Sequence, residues 1–208
     1  MKDEALTKER ILQAAEEALR RFGQAKATVL DVARALGVSH GSVYRHFPSK
    51  AALQDAVAER WLARVSTPLA QVAAEPGSAV QRLRRWFEVL IRFKRKKVLD
   101  DPEMFDTYSR LVADSRDVVR AHVGALTDQL SRILADGVEA GEFDIAHPAS
   151  AAKAVFAATD RFHNPVHAAE WSDPGIDAAF EAVFALLLRG LGATAPRQRA
   201  KRGARRRG

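Results

Sequence analysis

Cysteine is absent from all 208 residues. A disulfide scaffold, a thiol nucleophile and any cysteine-ligated zinc or iron–sulfur site are thereby excluded. Long apolar runs are missing as well. No stretch of 18 residues is free of charge, so no membrane span is readable. The opening Met1-Lys2-Asp3-Glu4-Ala5 lacks the apolar run of a secretory leader. A cytoplasmic protein is the expectation, with no membrane partner. Neither a glycine-rich phosphate loop nor a G-x-S-x-G elbow occurs, and the carboxylates sit mostly beside arginines on polar faces, like surface pairs. Nothing supports an enzyme, and no cofactor is expected. Alternating apolar and polar runs are missing too, which removes strands from the prediction.

What remains is an ordinary globular balance, 47% apolar and 28% charged. A chain this long hides roughly 70% of its unfolded surface. The net charge of +7 has a location: residues 196–208 hold seven bases and no acid, and the other 26 bases balance the 26 acids. The high pI therefore describes the tail. That tail has no apolar residue beyond alanine, so it is expected to be disordered.

Helical periodicity fills the rest. Ile11, Leu12, Ala15, Ala18, Leu19 and Phe22 form one stripe, ended by Gly23. Thr28 caps a short helix with Val29, Val32, Ala33 and Leu36, and Gly37 closes it. Ser39 caps a third with Val43, Tyr44 and Phe47, stopped by Pro48. Ser49 caps a fourth with Leu53, Ala56, Val57 and Trp61, expected to end before Pro68. Further helices are predicted over 78–97, from Pro102, over 116–140, from Pro148 to about residue 163, and over 175–191. The fold class is all-α with about nine helices: an N-terminal three-helix helix-turn-helix domain and a larger helical domain.

Residues 28–47 have helix-turn-helix spacing. Gly37 permits the sharp turn, Val38 plugs the angle and Ser39 caps the next helix. Val43 and Phe47 face inward, which leaves His40, Gly41, Ser42, Tyr44 and Arg45 outward. Small or polar groups at the start of such a helix suit entry into the major groove. The order and spacing of Ile11-Leu12-x-Ala14-Ala15, Phe22-Gly23, Leu36-Gly37-Val38-Ser39, Gly41-Ser42-Val43-Tyr44-x-His46-Phe47 and Ser49-Lys50-x-x-Leu53 resemble the DNA-binding domain of the TetR family of bacterial transcriptional regulators. The resemblance covers residues 9–62.

It implies a DNA-binding domain over 4–64, with the motif at 28–47, an effector-binding and dimerisation domain over 65–195, and the basic tail of 196–208. It implies a homodimer on near-palindromic double-stranded DNA, an unidentified small-molecule effector and a place at the bacterial nucleoid. Thr28, Tyr44, His46 and Lys50 would hold phosphates, while His40, Ser42 and Arg45 would face base edges and Gly41 would allow close approach, all within the presented stretch from Ser39 to His46. Three have a plainer alternative: Tyr44 as part of the core, His46 as a helix-end residue, Arg45 on phosphate alone.

Other candidates lie further on. The run 82–97 has eight bases and one acid, either a solvated face or a second anionic-ligand surface. His163 and His167 are spaced for a metal on a helix, but Pro165 between them breaks that helix, so no metal is assigned. Phe87, Phe105, Tyr108, Phe156, Phe162 and His163 are candidate effector contacts, with core packing as the alternative. In the family, the last two helices usually pair two copies; here Ala178, Ala182, Val183 and Leu186 suit that role. The expected function is a ligand-responsive repressor. Two alternatives stay open: a ligand-independent architectural protein relying on its basic tail, and a helical small-molecule binder with a degenerate DNA-binding domain.

Overall fold

Thr7 opens the first helix of the computed structural model, which describes residues 5–193. The basic tail of 196–208 lies outside the described residues. Helix α1 spans Lys8–Lys26, with the Thr7 hydroxyl accepting the Arg10 N–H at 3.2 Å. Gly23 interrupts α1 rather than ending it. Its backbone is left-handed (φ 71), and one further turn follows as far as Lys26. Phe22 sits at this break and is 40% exposed under the Arg21 guanidinium, so it leaves the stripe predicted for it.

Next come α2 (Val29–Leu36), α3 (His40–Tyr44) and α4 (Lys50–Ala74). Helix α4 runs straight through Pro68, against the predicted stop. A proline inside a helix removes one hydrogen bond. Here Val65, Leu69, Val72 and Ala73 are all buried beyond or beside it, and burial of each valine or leucine contributes about 1.5–3 kcal/mol, enough to carry the helix across the break. The Gln129 amide donates to the Ser66 carbonyl at 3.1 Å and ties this stretch to a neighbouring helix.

Helices α5 (Ala79–Asp100), α6 (Pro102–Asp114), α7 (Arg116–Glu139), α8 (Pro148–Ala158) and α9 (Ile176–Gly190) complete the set. Helix α8 is shorter than predicted. The Thr159 hydroxyl donates back to the Val155 and Phe156 carbonyls, and the chain turns into two 3₁₀ segments, Asp160–Phe162 and Pro165–Ser172. Val123 on α7 is 38% exposed. The described residues thus form nine α-helices and no strand.

Two apolar clusters result. The first joins α1–α3 and the start of α4 to Met104, Phe105, Tyr108 and Leu111 of α6. The second gathers the far half of α4 with α5, α7, α8 and α9 around Trp86, Phe87, Leu130 and Phe184. Helices α4 and α6 link the two: α4 contributes to both, and α6 packs on α1 through Arg20–Asp101 (2.6 Å) and Gln24–Asp114 (2.7 Å).

Candidate nucleic-acid interface and candidate ligand cavity

The turn between α2 and α3 is built around Gly37. Its φ of 66 and ψ of 27 are left-handed, a conformation that costs any residue with a Cβ about 1 kcal/mol or more. Open space surrounds the position, so the backbone and not crowding requires glycine. Ser39 then caps α3 by accepting the Ser42 N–H at 3.2 Å. Val43 and Phe47, both buried, pin the short helix to the core.

This leaves one face of α3 outward. His40, Gly41 and Arg45 are exposed, while Ser42, Tyr44 and His46 are half-buried. The Ser39 and Ser42 hydroxyls are 2.8 Å apart, and the Arg45 guanidinium donates to the Ser42 hydroxyl at 3.1 Å. The His40 ring meets the Tyr44 ring edge-on at 4.5 Å. Lys50, exposed, opens α4 behind the Ser49 cap. Between Asp31 and Asp55 the chain carries no acid, so this face is cationic.

Thr28 stands at the start of α2, where its hydroxyl accepts the Asp31 N–H at 3.2 Å and donates to the Asp31 carboxylate at 2.6 Å. That hydrogen bond holds the Asp31 carboxyl below its ordinary range. The only hydroxyl proton is therefore already donated. The phosphate role inferred for Thr28 needs either this bond to open or the free backbone amides at the helix start to act instead.

The candidate effector residues divide among three places. Phe156 and His163 line a cavity of ≈ 290 Å³ bounded by α4, α5, α6, α7, the end of α8 and the 160–166 segment. Phe105 and Tyr108 line a different cleft of ≈ 420 Å³ between α1, α4 and α6, rimmed by Glu16, Arg20, Arg60 and Arg64. Tyr108 stacks on Trp61 at 5.0 Å, and burial raises its hydroxyl to about 12. Phe87 and Phe162 are core residues packed on Phe180 and line neither space. Trp61 belongs to both walls.

Three polar side chains on the smaller cavity, Lys94, Ser109 and His122, were not singled out from the sequence. Lys94 carried a readable signal: it continues the inward series Phe87, Leu90 and Ile91 by helical spacing. Within the basic run of 82–97 the solvated-face expectation fails for Arg82 and Lys94, both buried. Five members of the run pair with acids: Arg82–Asp136, Arg84–Glu181, Arg85–Glu75, Arg95–Asp177 and Lys96–Asp100.

His163 and His167 have separate partners. His163 lies 3.2 Å from the Thr159 hydroxyl, and burial lowers it to about 4, so it is neutral at pH 7. His167 bonds Glu170 at 2.8 Å. On α9, Ala178, Ala182 and Leu186 are exposed, Leu186 by 62%, and Val183 is half-buried. Ala154, Ala157 and Ala158 of α8 are exposed too. No helix among the described residues is long and apolar enough to cross a membrane.

Comparison with known proteins agrees with this architecture. The family model described as "Bacterial regulatory proteins, tetR family" matches residues 11–57, and "Tetracyclin repressor-like, C-terminal domain" matches residues 79–184. Among solved structures, SmeT, the repressor of the Stenotrophomonas maltophilia multidrug efflux pump SmeDEF, is 22% identical with a TM-score of 0.65, covering 93% of this chain and 95% of its own. The SmeT–triclosan complex is 20% identical with a TM-score of 0.64, covering 92% and 95%. RolR in complex with resorcinol is 20% identical with a TM-score of 0.59, covering 90% and 88%. The capped helix-turn-helix, the helical body behind it and family matches to both, one spanning just over half of the chain, lead to one assignment: this chain belongs to the TetR family of bacterial transcriptional regulators.

Proposed function

We propose that the protein is a homodimeric repressor that presents residues 39–46 of each copy to one half of a near-palindromic operator and releases it when a small molecule enters the ≈ 290 Å³ cavity. Residues 4–64 serve as the DNA-binding domain and 65–195 as the effector-binding and dimerisation domain. The observation that carries the reading is α6, which lines that cavity with Ser109, Val112 and Ala113 and also fills the core beneath α1 with Met104, Phe105, Tyr108 and Leu111. Trp61 of α4 does the same from the other side. A ligand that displaces α6 or Trp61 must therefore shift the base on which α1–α3 rest. Packed interiors have discrete arrangements and do not yield continuously, so the response is a population shift between two spacings of the paired recognition helices. Repression by SmeT, and the small molecules held by SmeT and RolR, support this assignment.

In a dimer the DNA-facing elements repeat by twofold symmetry. Footprinting on the DNA flanking the protein's own gene should show protected half-sites of related, inverted sequence, centred about 10 base pairs or a multiple apart. A single asymmetric protected site occupied by a monomer contradicts the proposal.

A further inference from the structure

We infer that the cavity between α4, α5, α6 and α7 takes an apolar weak acid as its monoanion, a carboxylate or an ionised phenol, with Lys94 as the counter-ion. The inference rests on the reading of this cavity as the effector site and adds its chemistry.

Lys94 is 7% exposed and lines the cavity. Its ammonium makes no hydrogen bond and no ion pair among the described residues, and it lies 5.5 Å from the centre of the Trp61 ring. A second buried cation on the same helix shows what this protein does when a charge is structural. Arg82 donates to the Ala73 carbonyl at 2.9 Å and to the Asp136 carboxylate at 2.8 Å. Burying a cation without an anion is strongly unfavourable, and such charges are normally paired. On the same wall, Ser109 carries a buried hydroxyl with no partner. An acid's oxygens would pair with the Lys94 ammonium, and rotation of the Ser109 side chain would let its hydroxyl donate to them.

The other titratable groups on the cavity do not compete. Burial, reinforced for both by the Lys94 charge, lowers His122 and His163 to about 4, so each is a neutral ring at pH 7. Asp160, the one acid on the wall, accepts two bonds from the Asn164 amide at 3.0 and 3.1 Å and lies 3.7 Å from His167. Burial lowers Lys94 only to about 8, so the ammonium persists at neutral pH. The rest of the lining is aliphatic or aromatic, including Leu62, Leu90, Val112, Leu126 and Phe156. A volume of ≈ 290 Å³ is at the small end of ligand sites, which run roughly 300–1,000 Å³, and sets the size class to one ring or a short chain.

The test is calorimetric titration of the full chain with matched acids and neutral amides: phenylacetate, 4-phenylbutanoate and octanoate against their amides. At pH 7 at least one acid should bind about tenfold or more tightly than its amide, as an added ion pair predicts. Lys94→Met should remove that difference, and Lys94→Arg should retain part of it. In the unaltered protein, Lys94 is charged below about 8 and loses its proton above it. Acid affinity should therefore fall by about tenfold between pH 7 and pH 9, with the amides flat, since both histidines are already neutral throughout. This pH series needs no variant. Amides that bind as tightly as acids, with no effect of pH, overturn the charge inference and leave the cavity reading standing. Failure of every acid and every amide to bind overturns both.

Discussion

Ala182→Arg should turn the proposed dimer into a monomer and cut operator affinity by about a hundredfold or more, while each protomer keeps its helical content. Ala182 is exposed in the single chain, so the new side chain meets only solvent there. Between copies the situation reverses. The exposed face of α9 carries Ala178, Ala182 and the 62% exposed Leu186, and Leu186 shares a groove with Ala154 of α8, a helix on which Ala157 and Ala158 are exposed too. Small side chains allow close approach of helices. A twofold axis would place two guanidinium groups in that seam, each desolvated without a partner, at several kcal/mol. A hundredfold loss corresponds to about 2.7 kcal/mol, less than that penalty. Sedimentation and operator titration on one sample check both halves. A variant that remains dimeric removes α9 from the interface.

Trp61→Ala should have the largest effect on stability, a loss of about 3–5 kcal/mol. Trp61 is 5% exposed, stacks on Tyr108 at 5.0 Å, meets Phe105 edge-on at 6.4 Å and lies under the Lys94 ammonium. Truncation leaves a void where α4 and α6 meet. It also merges the smaller cavity with the charged cleft, since Trp61 walls both. Trp61→Phe keeps most of the buried area and should cost about 1–2 kcal/mol. The proposed coupling predicts a further result for this milder variant: operator affinity near that of the parent, with release by ligand reduced. Chemical denaturation gives the first number, and ligand titration of the operator complex gives the second. If Trp61→Phe responds to ligand as the parent does, coupling runs through α6 alone.

Much of the candidate nucleic-acid face was legible because its signals are local. Gly37, Ser39 and the inward Val43 and Phe47 are read from turn and cap chemistry within ten residues, and the structure has the left-handed turn and the cap at those positions. Thr28 was legible as a cap, but its partnership with Asp31, which occupies the hydroxyl proton, depends on a side-chain bond that spacing only permits. The run through Pro68 was not legible. Proline is a local stop signal, and what overrides it is burial of Val65, Leu69 and Val72 against helices far along the chain. The candidate aromatics show the same limit. Helical spacing puts Phe87, Phe105, Phe156 and Phe162 all inward; which of them borders a space depends on how helices cross. Lys94 was the exception, a cation on an apolar stripe, hidden by the seven bases around it.

The central claim is that residues 39–46 read sequence, and binding of variants to operator and to scrambled DNA across several salt concentrations tests it most directly. Arg45→Ala and His40→Ala should each lose about 1–3 kcal/mol at the matched base and relax preference there. Deletion of 196–208 should weaken both DNAs alike and leave the preferred sequence unchanged. If about four of its seven bases neutralise phosphates, the slope of log K against log salt should flatten by roughly 3–4. The opposite pattern, preference lost with the tail and intact in Arg45→Ala and His40→Ala, would contradict the assignment of α3 as the reading element.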